Sequence, residues 1–170
     1  MNIFYTHSCP VQAADELCYK HVVKMILESC QLLSTAHHVM STELDKNLIY
    51  KMTHKNHPSA VWVRKSVEHY DWVWLNAKRM CEIYTAKTGR THASEGVLDL
   101  LLCYPTGLPQ KPFVEPPACV DDDLKHLSRV STEHAYQVYL NRKFSEWLNR
   151  DRPLKVEFPV KAPIWYEKVV

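Results

Sequence analysis

Between Val11 and Ala36 the apolar residues fall at steps of three and four: Ala14, Leu17, Cys18, Val22, Met25, Ile26, Cys30 and Leu33. That period belongs to an α-helix with one apolar face, and Lys20, Lys24 and Gln31 fall off the stripe. A helix of this kind needs partners to cover it, and the rest of the chain offers more helices. A second is predicted after Ser41 or Thr42, carrying Leu44, Leu48, Ile49 and Met52. A third opens at Pro58 and runs through Val61, Trp62, Val73, Ala77, Met80, Ile83 and Tyr84 to Gly89, which stands where a left-handed C-terminal cap belongs. A leucine-rich fourth spans about Ser94 to Cys103. Ser131 caps a last one through Tyr136, Tyr139, Leu140, Phe144, Trp147 and Leu148. The proline-rich stretch from Pro105 to Pro117 must be irregular. With no βαβ alternation, the fold predicted is all-α: a single bundle of about five helices over residues 1–170. Residues 153–170 form an extended tail, packed on the bundle through Phe158, Trp165 and Tyr166.

Length and composition narrow the function classes. A chain of 170 residues, 46% apolar and 24% charged, suits one core of ordinary globular character. With only Gly89, Gly96 and Gly107, neither a P-loop nor a GxGxxG fingerprint can be written. No apolar run nears the ~18 residues of a membrane span, and the N-terminus lacks a basic segment followed by an apolar one. The expectation is a soluble cytoplasmic protein with no membrane partner. Six cysteines without a CxxC pair read as buried thiols of a reducing compartment. The net charge of +2 is too small to announce nucleic acid. Its distribution says more: Lys46, Lys51, Lys55, Arg64 and Lys65 cluster with His38, His54 and His57, whereas acids gather at Asp121, Asp122 and Asp123.

Three constellations could carry chemistry. On the first helix His21 and Glu28 are seven residues apart and share a face. A glutamate at the edge of an apolar stripe, partly withdrawn from water, is the material of general acid/base catalysts, and equally of simple stripe edges. The loop holding His54, Lys55, His57 and Pro58, followed by Trp62 and Arg64, offers donors, a stacking ring and positive charge, which suits a phosphate and a base. Its alternative is a satisfied polar loop over a core tryptophan. On the last helix Tyr136, Tyr139, Arg142, Lys143 and Trp147 form a third group, in which Tyr136, Tyr139 and Lys143 share a face and offer aromatic and cationic groups to a ligand; the alternative is that Tyr136 and Tyr139 are core residues with hydroxyls at the rim. His37 and His38 with His54 and His57 raise the thought of a metal, but adjacent histidines diverge on a helix and no HExxH or CxxC partner exists. No metal and no other cofactor is predicted.

The order of these elements resembles the small all-helical phage pyrimidine-dimer DNA glycosylases of the endonuclease V type. The short N-terminal lead into a helix bearing Asp15, His21 and Glu28 is similar to theirs. So are His57 opening an aromatic-rich helix through Trp62 and Arg64, the length of that helix to Gly89, and the closing segment Pro163, Ile164, Trp165, Tyr166, Glu167, Lys168. The histidine-rich segments Ser34–His38 and Thr53–Pro58 also look like parts of uncharacterised phage proteins. The resemblance implies that an N-terminal α-amine attacks the sugar C1′ and forms a Schiff base while Glu28 polarises the sugar and assists elimination. An α-amine is suited to this because its ordinary pKa is lower than that of lysine. The family exposes a threonine after losing its methionine. Here Asn2 is too large for efficient removal, so Met1 is the expected terminus, and Leu27 and Gln31 stand where the family has arginines.

The leading expectation is therefore an enzyme that acts on the glycosidic bond or base of a nucleotide, free or within DNA. Glu28, His21 and Met1 form its catalytic set, and His54, Lys55, His57, Trp62, Arg64, Tyr139 and Lys143 hold the substrate. The rival is a non-catalytic phage accessory protein that sequesters a nucleotide or a host factor.

Overall fold

The computed structural model describes residues 1–167. Its α-helices are α1 (Pro10–Asp15), α2 (Tyr19–Val39), α3 (Pro58–Val63), α4 (Val67–Thr88), α5 (Glu95–Leu100) and α6 (Thr132–Leu148), with short 3₁₀ turns at Asp122–Leu124 and Leu127–Arg129. The described residues contain no strand, only an isolated bridge between Ser41 and Thr106. The all-α class stands. The tail is irregular rather than uniformly extended, with a bend at residues 159–160 and a turn at 164–165 where the Tyr166 N–H donates to the Pro163 carbonyl; residues 168–170, including Lys168 of the closing segment, lie outside the described residues.

Two expected helices are each two. The stripe from Val11 to Ala36 breaks at Glu16–Cys18, where Cys18 is extended and the N–H of Tyr19 goes to the Glu157 carbonyl of the tail. The break lets both pieces pack on α4. Trp72 Nε1 donates to the Ser8 carbonyl and Asn76 Nδ2 to that of Pro10. Apolar period alone cannot reveal such a break, because the same face continues on both sides of it. The helix opening at Pro58 ends at Val63, and Ser66 starts the next one by accepting from the Glu68 N–H. The following residue, Val67, donates to the Pro109 carbonyl, so the proline-rich segment serves as the other half of this corner.

The helix expected over Leu44–Met52 does not form. Asp45 Oδ1 accepts from both the backbone and the side chain of Asn47, and Thr42 Oγ1 accepts from the Leu44 N–H. Side chains that bond their own backbone in this way favour turns over helix. Leu48 and Met52, expected in an apolar face, are exposed. Gly89 ends α4 at φ +68°, the left-handed cap its position predicts.

The core lies between α2 and α4, closed by α6 and by the N-terminal lead, whose Ile3, Phe4 and Tyr5 are buried. The lead thus crosses the start of α2, and this delivers the first residue to the middle of that helix.

Candidate functional site

Glu28 stands two turns after His21 on α2, with its side chain 14% exposed. Its Oε2 accepts the backbone N–H of Asn2 at 3.2 Å and lies 4.0 Å from the Met1 amine. Its Oε1 is 3.2 Å from Lys24 Nζ, one turn earlier. These groups edge a cleft of about 620 Å³ lined by the lead (Met1, Asn2, Phe4), the first half of α2 (Tyr19, Lys20, His21, Val23, Lys24, Met25, Glu28) and α6 (Tyr139, Lys143, Trp147). The volume lies in the range of small-molecule sites. The wall is largely aromatic and apolar, and the charged groups along it are Lys20, Lys24, Lys143 and the terminal amine against one carboxylate. A flat ring bearing negative charge fits that composition.

His21 is buried in this wall, its ring 4.7 Å from that of Phe4, 5.0 Å from Trp147 and 5.7 Å from Phe144 by centroid. Nδ1 meets Cys18 Sγ at 3.4 Å, while Nε2 has no hydrogen-bond partner among the described residues. Burial, with Lys143 and Lys24 adding to it, pushes the imidazole down to about 3. The ring is therefore neutral near pH 7, with Nδ1 against Cys18 and Nε2 closed off from solvent. A buried nitrogen left without a partner costs about 1–3 kcal/mol, an unusual expense for a residue whose job is packing alone.

Across α6, Lys143 Nζ sits 5.3 Å from the centre of the Tyr139 ring and donates to its hydroxyl at 3.3 Å. This holds the ammonium at the cleft. Asn2 is the most heavily bonded residue of the lead. Tyr136 Oη donates to its Oδ1 at 2.6 Å, its Nδ2 donates to the Cys119 carbonyl at 2.9 Å, and the Cys119 N–H donates to Tyr136 Oη at 2.9 Å. Burial drives the Tyr136 phenol far above its ordinary range, which keeps it a neutral donor.

The histidine loop stands beside this arrangement. His57 is the N-cap of α3, its Nδ1 accepting from the Ser59 N–H at 3.2 Å, which leaves the proton of the neutral ring on Nε2. Burial lowers its pKa first; the charge of the N-terminal amine and His54 lower it further, and Glu28 opposes them. His57 is therefore within electrostatic reach of the Met1 and Glu28 pair. His54 occupies a left-handed conformation at φ 45° and is exposed, as is Lys55. Arg64 Nη1 donates to the carbonyls of Lys55 (2.7 Å) and Ala60 (2.9 Å), tying the loop to the end of α3.

Trp62 belongs elsewhere. Its ring is stacked on His69 at 4.3 Å and 13°, its Nε1 donates to the Val114 carbonyl, and it lines a second, mostly apolar cleft of about 910 Å³ with Pro58, Val61, Pro112 and Pro117. Of the ten residues singled out from the sequence, the structure gathers Met1, His21, Glu28, Tyr139 and Lys143 in one cleft. His57 and Arg64 cap the two ends of α3 outside the lining of that cleft, His54 and Lys55 stand exposed in the loop, and Trp62 lies at the second cleft.

Sequence reasoning passed over Asn2, Phe4, Lys20 and Lys24, whereas Trp147, grouped with Tyr139 and Lys143 from the sequence, does line the cleft with them. One of the four had a readable signal, since Lys24 is four residues before Glu28. Asn2 and Phe4 had none, because their role comes from contacts far along the chain. Elsewhere, His37 uses both nitrogens on Thr42 Oγ1 and Tyr70 Oη, and His38 Nε2 donates to the Tyr50 carbonyl. Among the described residues no three His, Cys, Asp or Glu side chains gather as a metal would need, and no helix is long and apolar enough to cross a membrane.

No family model, no curated protein and no solved structure matches this chain.

Proposed function

We propose that the protein acts at the sugar of a nucleotide, free or within DNA, as a glycosylase/lyase with the Met1 α-amine as nucleophile and Glu28 as acid/base group. The observation that carries the reading is the convergence of an α-amine and a partly buried carboxylate at one edge of an aromatic, cation-rimmed cleft. In the reaction the amine nitrogen bonds to C1′, the bond from C1′ to the base breaks, and the base departs with the electron pair and takes up a proton. Loss of the amine proton and opening of the sugar give an imine. Glu28 is placed to polarise the sugar and to move these protons. Lys20 and Lys143 meet phosphate, Tyr139 and Trp147 flank the base, and the neutral His21 ring backs the cleft wall between Phe4 and Trp147.

The test is borohydride trapping. Protein incubated with damaged or base-modified DNA yields a covalent adduct at residue 1, located by peptide mass, and Glu28→Gln loses turnover while its melting temperature holds. Turnover intact in that variant refutes the assignment. A second reading has one observation in its favour. Glu28 is already engaged by Lys24 and by the Asn2 N–H, as a purely structural anchor would be. A protein that sequesters a nucleotide or a host factor would then bind tightly and release no product. A thermal-shift series with nucleotides, read beside product analysis, separates the two, because a ligand that binds only the folded form raises apparent stability.

A further inference from the structure

The start of a chain is ordinarily its least ordered part. Here residue 2 is bonded on every polar atom but its carbonyl. Its N–H goes to Glu28 Oε2, its Nδ2 to the Cys119 carbonyl, and its Oδ1 accepts from both Tyr136 Oη and the Ile3 N–H. The partners lie 26, 117 and 134 residues away, on α2, on the segment before the 3₁₀ turns, and on α6. Tyr136 is itself fixed, fully buried and accepting from the Cys119 N–H, so Asn2, Cys119 and Tyr136 close a ring of hydrogen bonds. The packing of the lead does not require this ring, because Ile3, Phe4 and Tyr5 already bury their side chains. What the ring adds is a fixed place for the peptide unit next to the terminal nitrogen.

We infer that Asn2 and Tyr136 are positioning residues: their hydrogen-bonded ring holds the Met1 α-amine against Glu28 at the cleft edge. This rests on the function proposed above and adds residues to which no chemical step is assigned. An amine on an untethered terminus would sample a wide arc around Ile3, and only a small part of that arc faces the cleft. Holding reacting groups in near-attack geometry is worth large rate factors, and a displacement of about 1 Å can cost on the order of 100-fold. The tether acts on the bond-forming step and leaves the cations of the cleft where they are.

The test uses 2-deoxyribose 5-phosphate with cyanoborohydride on the full chain. The amine adds to the C1 aldehyde with loss of water, and the reagent delivers hydride to the imine carbon. Rates at residue 1 are read by peptide mass over a range of sugar concentrations, for the parent protein and for Asn2→Leu, Tyr136→Phe and Glu28→Gln. Leucine is large enough to retain Met1, and intact mass checks the terminus of each protein. The expected result is a saturating rate lower by about 10-fold or more in Asn2→Leu and less in Tyr136→Phe. The half-saturating concentration set by Lys20 and Lys143 should not change. A variant that only loosened the fold would lose affinity and rate together. If Tyr136→Phe does not fold, Asn2→Leu decides alone, with Asn2→Asp, which keeps the acceptor for Tyr136, restoring part of the rate. Parent rates in both Asn2 variants while Glu28→Gln is slowed overturn the positioning role and leave the proposed chemistry standing. No preference for residue 1 over the lysines in the parent protein overturns both.

Discussion

The buried imidazole of His21 makes a quantitative prediction. Its pKa is pushed down to about 3, from an ordinary value of 6.5. Above pH 6.5 the ring is neutral in folded and unfolded chains alike, so it contributes no pH dependence. Between 6.5 and about 3 the unfolded chain binds a proton that the folded protein refuses, and stability falls as pH falls, by about 1.4 kcal/mol per unit. At pH 5 the loss from this one residue is about 2 kcal/mol. His21→Phe removes the titration and also the unpartnered Nε2, while keeping an aromatic ring among Phe4, Phe144 and Trp147. The expected outcome is a variant no less stable than the parent at pH 7 and about 2 kcal/mol better, relative to that difference, at pH 5. Urea unfolding of both proteins at the two pH values measures it. Carboxylates and His37, which burial also lowers, to about 4, are common to both proteins and cancel in the comparison. A difference between parent and variant that stays flat from pH 7 to 5 would show that His21 is not buried as a neutral ring.

Adding a single glycine before Met1 carries the amine about one residue away from Glu28, and borohydride adduct formation should fall to the background of the lysines in a mass-spectrometric assay. Lys143→Ala should weaken binding of a short single-stranded oligonucleotide and lower the slope of log affinity against log salt by about 0.7, the loss of one phosphate contact; an unchanged slope would place the phosphate elsewhere. Trp62→Phe, which loses the bond from Nε1 to Val114, should cost about 1–3 kcal/mol in denaturant unfolding and leave nucleotide affinity unaltered, since Trp62 lines the other cleft.

How far the sequence could be read follows from the range of each signal. The faces of α2, α4 and α6 were legible because a period of 3.6 repeats many times along them, and Gly89 was legible because its cap needs a positive φ. His21 and Glu28 came out together because two turns of one helix fix their relation. The breaks at Cys18 and Ser66 did not come out. Each is held by carbonyls of Glu157, Pro109 or Lys111, supplied from distant chain to backbone N–H groups or to the Ser66 hydroxyl, which no local pattern announces. Leu44–Met52 read as helix on its apolar spacing, but the Asp45 and Thr42 side chains captured nearby N–H groups first. Trp62 read as a stacking surface. Its face is occupied by His69, seven residues on, whose two nitrogens are taken by the Trp62 carbonyl and the Val114 N–H.

The crossing of the lead over α2 has a consequence for how the molecule is made. One wall of the cleft is residue 1 and its neighbours, the opposite wall is α6, and the tail then bonds back across the break before α2, with Trp165 Nε1 on Glu16 Oε2, 149 residues apart. On the ribosome the first residues emerge long before α6, so the lead waits without the side chain that bonds Asn2. Only when α6 has left the exit tunnel can Tyr136 capture Asn2, and so the ring of hydrogen bonds around residue 2 closes late, after the helix that carries residue 136 has been made.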